Sequence, residues 1–437
     1  MMSFLYILIF LFSIYLYASR KYVAFLVSYF ALISKIFMLN LGASSIKESD
    51  LCLLLSFILI PFVLNRNKRA YSPQGDSFAK LVYIFVAFYF VEFLITIITD
   101  AEFIGNGLKV IRGILLLMTY FIFKSIPLEK YRKFLIIGLW ITLAQGVLYY
   151  LQFLGINLLA GSFKTGTFNF SYGLNIPTLS YFYLFFVLKS SYTSKYKYLL
   201  LLFFLGILLL TFVRSILIAA MIGISIFLLI NKNRKQSIML FIASLLFLPI
   251  VFNTIEKKAE ASSSSVSTVD DIMQIISGVD NLRNIDSNSG TFSFRIGMFV
   301  ERLDYLIKHP QYLFTGVGTI HEDSPNCYRR FNFYLGTHNE ERFYEQCIIE
   351  SGDIAWVPIV LRYGLLGLLL HVYLFYYVMK VGYKKQDFLQ ILLPLFVMLF
   401  ILTFSGPYFE RPPKLYEVCL YMAILWRAKK EKQILYI

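Results

Sequence analysis

Charge is what this sequence has least of. Only 15% of its 437 residues are Asp, Glu, Lys or Arg, while 58% are apolar. Ordinary soluble domains carry about a quarter charged residues, so the shortage argues against a cytosolic globular protein. Acidic residues are the scarcer kind, 26 against 41 basic ones, which leaves a net charge of +15. Cysteine is nearly missing as well. The four present form no CxxC and no His/Cys spacing of the zinc type, which argues against a structural metal site. Glycine shows no collagen-like period, and 18% aromatic residues is far from the composition of a disordered chain. Also absent are a P-loop, a zincin helix, a dinucleotide fingerprint, a serine nucleophile elbow and any visible repeat of about 20–50 residues. No cleavable leader is evident. The apolar segment 2–19 is followed by Arg20 and Lys21 and at once by another apolar run, so residue 1 is expected in the mature protein.

What the chain has instead is apolar runs from end to end. A window of about 19 residues draws thirteen spans, within a range of about 12–14. They cover 2–19, 22–39, 51–64, 81–99, 110–126, 134–154, 176–190, 198–213, 215–230, 237–253, 355–379, 388–405 and 415–428. The fold class this predicts is an all-α polytopic membrane protein. Its connections alternate in charge. The seven at 20–21, 65–80, 124–133, 189–197, 232–235, 380–387 and 427–432 hold 23 basic and 4 acidic residues. Those at 40–50, 100–109, 155–175 and 406–414 are poor in basic residues. Basic residues near span ends resist translocation, so the first set is expected in the cytoplasm together with the C-terminus. With thirteen spans the N-terminus is then outside. The excess positive charge is thus a topology signal and gives no support for nucleic-acid binding.

One connection breaks the pattern of short loops. The division expected is a bundle of about ten helices over 1–253, a large extracytoplasmic loop over 254–354, and the last membrane helices with a basic tail over 355–437. The loop holds 9 basic and 15 acidic residues, so it is net acidic. It opens with a serine run, 262–265, and carries helical patterns of its own. Thr268-x-x-Asp271 predicts a helix start, 294–308 a second helix that stops before Pro310, and Thr337-x-x-Glu340 a capping box for a third that ends near Gly352. An ordered insert of this length among short connections is the place to seek function.

The cations outside the basic connections carry the most information. Arg214 stands between two spans joined by almost no loop, where a guanidinium calls for an anionic partner or must snorkel to lipid phosphate. Arg295 and Arg302 lie seven apart on the second loop helix, nearly on one face, where two guanidiniums can chelate a diphosphate. For Arg302 the alternative is pairing with Glu301 or Asp304, whereas Arg295 has no carboxylate within a turn. His338 begins the capped helix, is followed by Asn339 and shares a face with Arg342 and Glu345, so its imidazole could relay a proton to or from a sugar hydroxyl, oriented by Glu345 or Glu341. His309, His321 and His371 have weaker settings. Arg112 lies near the outer end of its span, and Lys164 precedes Gly166-Thr-Phe-Asn169 in an outer connection. Glu92 and Lys35 fall inside drawn spans, as an intramembrane relay or as paired structural charges. Cys327 and Cys347 both fall on the loop, where an oxidising compartment permits a disulfide.

Several strings together resemble a known pattern. Thr211-Phe-Val-Arg-Ser-Ile-Leu-Ile-Ala-Ala, Ser293-Phe-Arg-Ile-Gly-Met-Phe, His309-Pro-Gln-Tyr-Leu-Phe-Thr-Gly-Val-Gly318, His338-Asn339 and Arg362-Tyr-Gly-Leu-Leu-Gly367, in this order around a large loop, look like the O-antigen polymerase and ligase superfamily. Gly166-Thr-Phe-Asn169 is similar to a glycine and asparagine segment that these proteins carry before a span. The resemblance covers about 164–367. It implies a polytopic, metal-independent glycosyltransferase of the GT-C type in the bacterial inner membrane, acting at the periplasmic face on oligosaccharide linked to undecaprenyl diphosphate. Arg214 and Arg295 would bind the diphosphate and His338 would lie at the acceptor end. Arg112, Lys164, Asn169, Arg302, Asn339, Arg342 and Glu345 are the further substrate-binding candidates. Two departures stand out: Lys164 where the family often has Arg, and Phe299 where it has Trp.

The expected activity is a repeat-unit polymerase that moves glycan from undecaprenyl diphosphate to the non-reducing-end hydroxyl of an incoming lipid-linked repeat, with inversion. Such a protein serves O-antigen, capsule or exopolysaccharide synthesis. Its partners would be the lipid-linked oligosaccharides, membrane lipid and a chain-length regulator protein, with no cofactor. An O-antigen ligase that passes the glycan to lipid A core is the first alternative. A flippase for the lipid-linked oligosaccharide is the second, and it leaves the structured loop unexplained.

Overall fold

The computed structural model describes residues 2–34, 48–66, 70–100, 102–153, 163–164, 171–172, 176–211, 213–231, 291–322, 324–331, 333, 349, 354–383, 388–406 and 412–431. Lipid offers no partner to a backbone N–H or C=O, so an apolar run must satisfy its own, and the α-helix does so within one segment. The runs accordingly form α1 (Met2–Ala18), α2 (Tyr22–Ile33), α3 (Glu48–Ile58), α4 (Ile60–Arg66), α5 (Ser77–Asp100), α6 (Ile104–Leu115), α7 (Thr119–Lys124), α8 (Leu128–Phe153), α9 (Ser180–Lys189), α10 (Lys197–Leu209) and α11 (Arg214–Asn231). After the connection follow α12 (Thr291–Lys308), α13 (Pro325–Arg330), α14 (Trp356–Tyr383), α15 (Leu392–Leu402) and α16 (Pro412–Lys430). Among the described residues the exceptions are short 3-10 turns and a two-residue antiparallel pair, β1 (Phe163–Lys164) with β2 (Ser171–Tyr172).

Five helical stretches among the described residues are long and apolar enough to cross a membrane: Ser49–Arg66, Ser77–Asp100, Ile104–Lys124, Leu128–Leu151 and Trp356–Tyr383. They coincide with the drawn spans 51–64, 81–99, 110–126, 134–154 and 355–379. The spans drawn at 176–190 and 198–213 form a pair bent by 105°, which counts as one crossing at most. Four more, Leu5–Ala18, Tyr22–Ile33, Ser215–Ile230 and Leu389–Leu402, are apolar but shorter. The span drawn at 237–253 and the loop helix expected from Thr268 lie outside the described residues.

Aromatic side chains fill the bundle. Tyr29 touches the rings of Phe25, Phe123 and Tyr416, which ties α2, α7 and α16 together in one continuous core. Two smaller clusters, one around Met298, Trp356 and Ile359 and one around Leu306, Ile320, Phe331 and Val360, seat α12 and the chain after it on α14. The helix expected at 294–308 is α12. It begins three residues earlier than drawn and ends before Pro310, which opens a 3-10 turn.

Candidate functional site

The segment after α12 is fastened to the bundle by backbone. Val317 N and Gly318 N donate to Leu361 O and Arg362 O at 2.9 Å, and Leu365 N and Leu366 N donate to Leu313 O and Phe314 O at 3.0 Å. These bonds exist because Gly364 (φ 58°, ψ −157°) breaks α14 and frees its carbonyls and amides. Gly316 also has positive φ, 76°. A Cβ at Gly316 would sit 2.3 Å from Arg362 C, and one at Gly364 would sit 2.5 Å from Phe314 C, so only glycine lets the two chains approach. The strings ending at Gly318 and Gly367 that suggested a family are, physically, the two halves of this crossing. Thr319 N then donates to Thr96 Oγ1 at 2.9 Å, which seats the crossing against α5.

A second attachment lies at the end of α5. Arg330 pairs with Asp100 at 2.9 Å and lies 4.5 Å over the ring of Tyr312. Burial pulls this guanidinium down, but Asp100, Tyr312 and Tyr305 outweigh it and hold Arg330 above its usual value. Asn326 Nδ2 donates to Asp100 O at 2.7 Å, and Ser324 Oγ donates to Glu102 Oε2. Glu102 Oε1 and Thr319 Oγ1 are buried without a hydrogen-bond partner among the described residues. Cys327, on α13, is disulfide-bonded. Cys347 lies outside the described residues.

Arg295 occupies the second turn of α12 and is half-buried. Arg302, two turns on, is 1% exposed, pairs with Glu301 and lies 4.3 Å over the ring of Phe333. Burial pushes its guanidinium down to about 10, against the pull of Glu301 and Glu322. This is the pairing alternative raised for Arg302, realised with Glu301. Asp304 instead takes Lys308 at 2.7 Å. Arg214 is the first residue of α11. Arg112, on α6, pairs with Asp50 of α3 at 3.1 Å, a carboxylate not considered for it from sequence. Lys164 lies in β1 opposite Ser171. Asn169, His338, Asn339, Arg342, Glu345 and Lys35 lie outside the described residues. Glu92 is buried on α5, and His371 is buried on α14, where Nε2 meets Tyr89 Oη at 3.2 Å and Nδ1 meets Gly367 O at 2.8 Å. His309 stacks on Tyr305, with ring centroids 4.3 Å apart.

Sequence reasoning missed Lys414 and Glu417, which pair at 2.6 Å at the start of α16. The i,i+3 spacing on an outer span end was the available signal. It also missed Glu102 and Arg330, whose partners are more than 200 positions away along the chain.

Helices connect these places. α12 packs on α14, α14 on α15, and α15 on α11, while Ala355 N donates to Thr403 O at 3.0 Å where α14 begins and α15 ends. Arg214 and Arg295 each stand in the first two turns of a helix, the end whose amide dipoles favour an anion. Among the described residues no group of three His, Cys, Asp or Glu is placed to hold a metal ion. A family model described as O-antigen ligase matches residues 199–372, the stretch from α10 to the middle of α14. No curated protein matches the chain.

Proposed function

We propose that this chain, a member of the O-antigen polymerase and ligase superfamily by its matched segment, is an oligosaccharide repeat-unit polymerase of the GT-C type. In this reading the chain lies in the inner membrane, with the large loop on the periplasmic side and the C-terminus in the cytoplasm. The observation that carries the reading is the pair of arginines in the opening turns of α11 and α12, the second of which is fastened to the bundle through the glycine crossing. A disulfide at Cys327 suits an oxidising compartment.

In this reading the donor is a glycan on undecaprenyl diphosphate. The non-reducing-end hydroxyl of a lipid-linked repeat attacks the anomeric carbon as the bond to the diphosphate oxygen breaks, which inverts that carbon. Arg214 and Arg295 stabilise the charge that grows on the leaving diphosphate, so no metal is required. His338 accepts the hydroxyl proton. Arg214→Ala and Arg295→Ala should each remove long-chain glycan, by at least about a hundredfold in product, as expected for the loss of one charge-stabilising donor. Protein levels should stay normal, and wild-type chain lengths in both variants would refute the reading.

The family description favours a second reading, an O-antigen ligase. A deletion strain separates the two. Accumulated single repeats mark a polymerase, whereas full-length lipid-linked polymer left unattached marks a ligase.

A further inference from the structure

α9 starts inside the bundle and not at its end. Thr142 Oγ1 on α8 donates to Thr178 O at 3.3 Å, and Tyr183 Oη donates back to Leu135 O at 2.9 Å. The opening of α9 is therefore level with Thr142, about 16 Å short of the Phe153 end of α8 at about 1.5 Å per residue. α10 climbs back along α8, where Tyr150 Oη donates to Phe203 O at 2.7 Å. The chain has passed the opening of α9 again before Arg214 begins α11.

The opening of α9 is held in an unusual way. Leu179 takes the left-handed conformation (φ 69°) and offers no side-chain cap. For a non-glycine residue that conformation is unfavourable, so its surroundings must impose it. Its N–H donates to Glu417 Oε1 at 3.4 Å. Glu417, fully buried on α16, also accepts from Lys414 Nζ at 2.6 Å and Tyr421 Oη at 3.5 Å. Lys414 lies 4.4 Å over the ring of Tyr181, in the first turn of α9, and keeps 14% of its side chain exposed.

A separate observation points to a ligand. Gln145 stands one turn from Thr142 on the same face of α8 and is 7% exposed, yet its Oε1 has no hydrogen-bond partner among the described residues. Helical side chains lean toward the N-terminus of their helix, so this one leans over the opening of α9. An amide can present either its oxygen or its NH2 to what lies there. Beside the Lys414–Glu417 pair, the start of α9 adds a partial positive charge.

We propose that Lys414 is a further cation of the donor site, ligating a phosphate of the polyprenyl diphosphate. Glu417 is the positioning residue that holds both Lys414 and the start of α9. Both residues lie beyond the matched segment 199–372. The inference rests on the donor reading proposed above. Binding of undecaprenyl diphosphate to the purified full-length protein, followed by native mass spectrometry, tests it. Lys414→Met should weaken binding about tenfold, as for one charge-assisted contact; because it also strips the buried Glu417 of its counter-charge, the double variant Lys414→Met/Glu417→Gln should show the same loss of binding with a melting temperature nearer wild type. Lys414→Arg should restore most of that loss, and Glu417→Gln should weaken binding less than Lys414→Met. Wild-type affinity in Lys414→Met overturns the proposal, and so does equal binding of phosphatidylglycerol and undecaprenyl diphosphate by the wild type. Arg214→Ala separates the two levels. Normal chain length in that variant removes the donor reading itself, whereas short chains there with normal binding in Lys414→Met remove only the role of Lys414.

Discussion

Asp76 precedes α5 and Glu102 follows it, so two buried carboxylates mark the two ends of one helix. Asp76 accepts from Tyr120 Oη at 2.9 and 2.8 Å, from Lys124 Nζ at 2.7 Å and from Ala79 N at 3.0 Å. Lys124 is enclosed in turn by the rings of Tyr120, Phe121 and Trp426, and Arg427 Nε donates to its carbonyl at 2.6 Å. That end of the bundle is closed, with its buried charges matched. At the loop-bearing end Glu102 shares one oxygen between Ser324 and Asn326, and its other oxygen has no hydrogen-bond partner among the described residues. Gln145 Oε1, Thr319 Oγ1 and Ser215 Oγ are buried in the same condition. A buried polar atom left unsatisfied costs about 1–3 kcal/mol. Among the described residues the fold thus matches its buried polar groups at one end and leaves several unmatched at the other.

Three substitutions would break or sharpen this contrast. The largest effect is expected at the closed end. Asp76→Asn leaves Lys124 buried without a counter-charge and should destabilise the bundle by about 3–5 kcal/mol. Thermal unfolding in detergent would show it, and an unchanged transition would mean that the closed end is not a lock. Next comes the crossing. Gly316→Ala forces a Cβ against the Arg362 backbone at positive φ, for about 2 kcal/mol of local strain. Trypsin should then cut the loop faster and long-chain glycan should fall, while the melting of the bundle stays near wild type. Glu102→Gln should matter least to stability, about 1 kcal/mol or less, because only one of its oxygens is engaged. A loss as large as that of Asp76→Asn would erase the distinction between the two ends.

The helices were readable because their signal is local. Residues 81–99 and 134–154 are mainly apolar, with Glu92, Gln145 and Gln152 the chief exceptions, and 294–308 has a helical stripe with a proline stop, so α5, α8 and α12 follow from their own segments. The basic connection at 189–197 separates α9 from α10 in the sequence, but the angle of 105° between them was not readable, since both halves are equally apolar. The site was legible only in part. Arg295 and Arg214 stood out as cations in unusual places, and Arg302 came with its own alternative in Glu301. The partner of Arg112 was not legible, because Asp50 approaches it from another helix.

Composition and periodicity alone determined that this chain is helical, that its helices are apolar enough for lipid, and that its basic residues gather at one set of connections. Those properties depend on each segment by itself. Only the tertiary structure decided which buried polar groups are matched and which are not. Leu179 meets Glu417 across 238 positions, Asp100 meets Arg330 across 230, and the crossing at Gly316 and Gly364 joins the segment after α12 to the break in α14 through backbone atoms. A hydrogen bond needs its partners within about 3 Å, and whether two distant residues come that close is settled by packing.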